Sequence, residues 1–210
     1  RREFHNSRPE LEKLDSLMRP LTEGNLASIS SISICGYASP DGTYKDNEIL
    51  ASNRARCFKK YMHTTYAPGY DLYKVSSVPE DWDGLVELLQ RHPMNHGDEV
   101  LSLIARIGIF EGREKQLMDM HRGTVYRELL KSYFPQLRRI RITVGYEARA
   151  FNIEEAASLI YTHPRLLSLQ EMYRVAAFYR PGTEQYREIY EIAAYHFPDD
   201  VLANINAASA

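Results

Sequence analysis

The segment Ile32–Met62, ISICGYASPDGTYKDNEILASNRARCFKKYM, changes its apolar period part-way along, and that change restricts the folds open to the chain. Ile32 and Ile34 alternate with Ser33 and Cys35, the period of two expected of a strand. Gly36 is expected to end the strand, and Ser39, Pro40, Asp41 and Gly42 follow as turn residues. From Asn47 onward Ile49, Leu50, Ala55, Phe58, Tyr61 and Met62 mark a helical stripe, with Arg54, Arg56, Lys59 and Lys60 around it. The loop therefore joins a strand end to a helix start, the place where open α/β sheets often bind ligands. Gly36 and Gly42 read as turn glycines that need positive φ.

The rest of the chain can be read in order. Arg1–Phe4 reads as the tail of a first strand. Ser7 and Glu10 have capping-box spacing ahead of a helix whose apolar face is Leu11, Leu14, Leu17, Met18 and Leu21, closed by Pro20 and Gly24. Ala27–Cys35 is the second strand and Asp46–Met62 the second helix, and Leu72–Val78 suggests a third strand. In Leu137–Tyr146, Ile140, Ile142 and Val144 alternate with Arg139, Arg141 and Thr143, which predicts a half-exposed strand.

Residues 79–135 read as helices. Leu85, Val86, Leu88 and Leu89 form one, opened by Asp81 or Asp83 and closed at His92-Pro93, and Asp98 and Glu99 open another. Leu117, Met118, Tyr126, Leu129, Leu130 and Tyr133 fit one or two more. Trp82 is expected to anchor this segment rather than form a carbohydrate platform. From Asn152 the pattern is helical, with helices opening at Glu154-Glu155, Ser168, Gln185 and Val201.

The central segment resembles the OmpA-like peptidoglycan-associating domain of Gram-negative envelopes. Gly36, Gly42, Asn47, Leu50, Arg54 and Ala55 fall at that family's spacings without a gap. Tyr37-Ala38 stands where His-Thr is usual, Ser39 where an acid is usual, and Ala51 where Ser is usual. Arg138 and Arg139 fit the arginine pair before the family's final strand, with Leu137 in place of Asn. Tyr186, Tyr190, Ala193 and Pro198 have spacings similar to the second helix of a tetratricopeptide repeat, although Arg174 replaces the small residue expected in the first helix. The resemblances imply an α/β, OmpA-like βαβαββ two-layer mixed sheet over 1–149, with a helical insertion at 79–135. A TPR-like helical segment follows over 150–210, read as a truncated array.

The resemblance implies a site for the diaminopimelate of peptidoglycan stem peptides, which carries an ammonium and a carboxylate close together. Arg54 would supply a donor fork for the carboxylate, and Asn47 would cap the helix or brace the loop. Ser39 lacks the usual negative charge, and Asp41 is two residues away on the same loop. Ser39, Asp41, Asn47, Arg54, Arg138 and Arg139 are the candidate binding residues. Their structural alternatives are a loop held by Arg54 pairing with Asp41 or Asp46, and a strand edge guarded by Arg138 and Arg139.

Two functions stay open: a peptidoglycan-binding module of the periplasm or outer-membrane-associated envelope, and a degenerate scaffold that binds a protein partner through its helical repeats in envelope or surface-fibre assembly. No enzyme motif is present: there is no zincin helix, phosphate loop, nucleophile elbow or CxxC pair. A non-enzymatic protein without cofactor or metal is expected, and His92 and His96 are a poor metal pair because Pro93 and Gly97 interrupt a helix. A net charge of −2 argues against nucleic-acid binding. No run of about 20 apolar residues could span a bilayer, so membrane attachment is expected only through an unseen anchor or neighbouring region. Beginning at Arg1, the chain reads as a mature or trimmed fragment. Cys35 and Cys57 read as unpaired, partly buried thiols.

Overall fold

The computed structural model describes residues 7–23 and 26–210, so the strand expected at Arg1–Phe4 lies outside the described residues. Along the chain run α1 (Arg8–Glu23), β1 (Ala27–Tyr37), α2 (Tyr44–Tyr66), β2 (Tyr73–Val78), α3 (Trp82–Arg91), α4 (Gly97–Arg106), α5 (Arg113–Asp119), α6 (Thr124–Glu128) and α7 (Phe134–Leu137). Then follow β3 (Ile140–Ala148), α8 (Ile153–Leu159), α9 (Leu169–Ala176), α10 (Glu184–His196) and α11 (Val201–Ser209). The fold is mixed helix and sheet. Two compact units divide it, one being Ile29–Gly145 and the other Arg1–Ser28 with Tyr146–Ala210. The expected boundary at 149/150 separates the same C-terminal helices but leaves α1 on the other side.

The described sheet has the order β2-β1-β3. β1 and β2 are parallel, in register from Ile32 opposite Tyr73 to Tyr37 opposite Val78. α2 makes the crossover that a parallel pair requires. β3 runs antiparallel to β1. The Tyr37 N–H donates to the Arg139 carbonyl at 2.9 Å, and the Arg149 N–H donates to the Leu26 carbonyl at 3.3 Å.

Within Ile29–Gly145, α2 buries Asn47, Ala51, Ala55, Phe58, Met62 and Tyr66, at intervals of three and four. Ile49 and Leu50, expected on this stripe, are each about half exposed, and Tyr61 is also exposed. The reason is a close approach. β1 does not stop at Gly36 but continues to Tyr37, and Gly36 lies against the Ala51 carbonyl, where a Cβ would clash. Small Ala51 and Ala55 let the helix backbone come that near. Gly36 is therefore a packing glycine and not the turn glycine expected, whereas Gly42 does hold a positive φ of 96°. Cys35 is half-buried and Cys57 exposed, and both are free.

The segment after β2 forms its own apolar core. Trp82, Leu85, Leu89, Val100, Leu117, Val125, Leu129, Phe134 and Leu137 pack together. The Trp82 indole N–H donates to Glu80 at 2.8 Å. The ring is thus a buried anchor rather than a surface platform.

In the other unit Leu14, Met18 and Leu21 are the buried face of α1. Pro20 sits inside this helix instead of ending it, removing one backbone bond near a terminus that runs to Glu23. Each of α8 to α11 packs on its chain neighbour. Asn152 with Glu155 and Ser168 with Glu171 form capping boxes at α8 and α9. Among the described residues, no helix is long and apolar enough to cross a membrane.

Candidate functional site

β1 ends on the loop because its last residues are pinned on both sides. The Ala38 N–H donates to the Val78 carbonyl at 3.0 Å, and the Asp81 N–H donates to the Ala38 carbonyl at 3.0 Å. Ser39 and Pro40 are buried. Gly42 then reverses the chain, and Thr43 caps α2, its hydroxyl accepting from the Asp46 N–H at 3.2 Å. Asn47 is not the cap. It is 4 % exposed, and its Nδ2 donates to the carbonyls of Ser39 and Asp41, both at 3.0 Å. One buried amide therefore holds both ends of the turn, the bracing alternative raised by the sequence.

The charged groups converge over this turn. Arg138 donates from Nε to the Ser39 hydroxyl at 3.0 Å and from Nη2 to Asp41 Oδ2 at 2.9 Å. The Ser39 hydroxyl donates in turn to Asp41 Oδ1. The Asp41 carboxylate thus lies beside the side chain of residue 39, where the resemblance places an acid.

Arg54 reaches the same place from the third turn of α2. Its Nη1 donates to the Tyr37 carbonyl at 2.7 Å. Among the described residues it makes no ion pair, so the expected pairing with Asp41 or Asp46 is absent. Burial lowers its pKa from the ordinary arginine value. Nearby Arg138 lowers it further, and Asp41 opposes the change. The combination is a half-buried guanidinium bonded to one carbonyl, next to a second arginine that an acid already neutralises.

Five of the six sequence candidates meet here: Ser39, Asp41, Asn47, Arg54 and Arg138. Arg139 does not. Its guanidinium pairs with Asp81 and lies 4.4 Å from the centre of the Tyr37 ring. Asp81 is 3 % exposed and also caps α3 by accepting from the Gly84 N–H at 3.1 Å. Sequence reasoning found Asp81 only as one of two helix starters. Its partner is 58 residues away, beyond any local signal. The Tyr37 carbonyl that holds Arg54 was likewise not foreseeable, because backbone acceptors leave no mark in composition.

The arrangement suits a small zwitterion. The Asp41 carboxylate, already accepting from Ser39 and Arg138, has lone pairs left for an ammonium, and Arg54 has N–H donors that bond to nothing else among the described residues. The cluster of three metal-ligating side chains among the described residues lies elsewhere, at His96, Glu99 and His121. No family model, curated protein or solved structure matches the chain.

Proposed function

We propose that the Ile29–Gly145 unit is an OmpA-like module that binds the diaminopimelate of peptidoglycan stem peptides through the loop after β1. The protein would act without catalysis, in the periplasm at the outer-membrane side of the envelope, and its TPR-like helices would be available to a protein partner. The observation that carries this reading is Arg54, a half-buried cation that makes no ion pair among the described residues and lies beside an acid and a second arginine. The ligand carboxylate would take the Arg54 fork. The ligand ammonium would meet Asp41, with Ser39 adding a neutral acceptor.

Calorimetric titration with diaminopimelate and with a stem peptide tests the reading. Saturable binding is expected. Arg54→Lys keeps a donor for the Tyr37 carbonyl but removes the fork, so it should cost about 1.5–3 kcal/mol of affinity. Failure of the intact chain to bind at millimolar ligand refutes the reading.

A second reading has its own support, because Asp41 is already engaged by Arg138 and Ser39. In that reading the loop is a self-neutralised scaffold that serves partner binding in envelope or surface-fibre assembly. It predicts that the intact chain binds neither ligand and that Asp41→Asn accelerates hydrogen exchange of the loop amides.

A further inference from the structure

Two histidines from separate parts of the insertion close on one carboxylate. His96 Nδ1 lies 2.8 Å from Glu99 Oε1, and His121 Nε2 lies 2.9 Å from Glu99 Oε2. The three donor atoms lie within 4.8 Å of one another. The imidazole rings are stacked with centroids 3.7 Å apart. We propose that His96, Glu99 and His121 bind one divalent transition-metal ion of the zinc class, an inference independent of the diaminopimelate reading.

The chemistry of the donor set fits. Neutral imidazole nitrogen is a borderline ligand and carboxylate oxygen a hard one; zinc accepts both, and a two-His, one-carboxylate set with a fourth position left for water is a known catalytic-zinc arrangement. Around a tetrahedral ion with zinc–ligand distances near 2.1 Å, neighbouring donors stand about 3.4 Å apart. The two His–Glu pairs would open by about half an ångström, and small rotations of the exposed side chains would bring one carboxylate oxygen to face both nitrogens, which already lie within 4.8 Å of it and of each other. The three side chains remain 37–54 % exposed and so have room to turn. A hollow of about 610 Å³ lies beside His96 and Glu99, which line it together with Leu89, Pro93, Met94 and Asp98. It leaves space for the fourth ligand.

Hydrogen bonding alone gives a weak account of the cluster. His96 and His121 both hold left-handed backbone, with φ of 63° and 49°, a conformation that costs a non-glycine residue roughly 1–2 kcal/mol. An exposed ion pair returns about 1 kcal/mol or less. His96 stands at the start of α4, yet its side chain makes no capping bond and turns to Glu99 instead. Strain of this kind concentrates at binding sites. A bound ion would tie the start of α4 to the turn before α6, which are 22 residues apart at Glu99 and His121.

The test is a zinc titration of the whole chain against a chromophoric chelator, with thermal unfolding as a second readout. The expected result is one zinc per chain and a rise in Tm that a chelator reverses. His96→Asn and His121→Asn are suitable variants because asparagine tolerates the left-handed region. Each should weaken zinc by at least the roughly 10–100-fold that outer-shell changes cost in metal sites, and should lose the zinc-dependent Tm shift. Glu99→Gln should do the same without altering backbone demands, while His92→Asn should leave zinc binding unchanged. Absence of saturable binding by the unmodified chain overturns the proposal. So does one-to-one binding of undiminished affinity in the His96→Asn, His121→Asn double variant.

Discussion

Gly36 in β1 lies directly against the backbone carbonyl of Ala51 in α2, with the Ala55 nitrogen 3.0 Å from where a Cβ would stand. Backbone on both sides leaves neither element able to yield locally. Gly36→Ala is expected to destabilise the protein by about 1–3 kcal/mol, the usual cost of overpacking. The midpoint of urea unfolding would fall with little change in slope. A neutral result would mean that α2 can lift from the sheet at little cost.

Asn47 supplies the donors for two turn carbonyls from a buried position. Asn47→Leu keeps the volume and removes both bonds, so the Ser39 and Asp41 carbonyls lose their partner. The expected cost is about 1–3 kcal/mol, read from thermal or denaturant unfolding. Asn47→Asp should be worse at neutral pH, because a carboxylate would then face two carbonyl oxygens.

Adjacent arginines are expected to behave differently. Arg139→Met strands the Asp81 carboxylate, which is 3 % exposed, and should cost about 3 kcal/mol or more. The Arg138 and Asp41 side chains are 40 % and 27 % exposed, so Arg138→Met should cost about 0–1 kcal/mol of stability. On the proposed diaminopimelate reading, its main effect should fall on affinity at the loop. Unfolding and calorimetry on the two variants separate a structural arginine from one at the site.

Acid should weaken the helices after β3. Glu155 is held down to about 2 from the ordinary 4.5, first by Arg149 and then by the Asn152 N–H. Burial works against the Glu171 carboxylate. The Phe151 N–H, the Ser168 hydroxyl and N–H, and Arg174 outweigh that burial, so its pKa is also lowered. Both carboxylates release protons more readily folded than unfolded. The Glu155 contribution is full above about pH 4.5 and is lost as pH falls toward about 2, and the Glu171 contribution is lost in the same direction, below the ordinary carboxylate range. Melting temperatures measured across that range should drop, and Glu171→Gln should flatten the slope.

Local sequence determined a good part of this protein. The change from period two to period 3.6 inside Ile32–Met62 located β1 and α2, because backbone geometry imposes those periods on whichever residues are buried. The helix starts expected at Glu154-Glu155 and Ser168 fall at α8 and α9, where Asn152 with Glu155 and Ser168 with Glu171 complete capping boxes within four residues. Asn47 as a loop brace was legible for the same reason: it acts over eight residues or fewer.

What only the tertiary structure decided depends on chain segments far apart. Apolar composition suggested that Ile49 and Leu50 would face the sheet, but the contact at Gly36 selected Ala51 and Ala55 and turned the larger residues outward. Arg138 meets Asp41 across 97 residues and Arg139 meets Asp81 across 58. Their neighbouring positions in sequence gave no reason to expect separate roles. His92 and His96 read as a poor metal pair and His92 does close α3, but the stacking of His96 on His121 left no local mark. Periods and caps are short-range properties of a chain. The direction of a charged side chain is settled by whichever counter-charge the packed elements bring within reach.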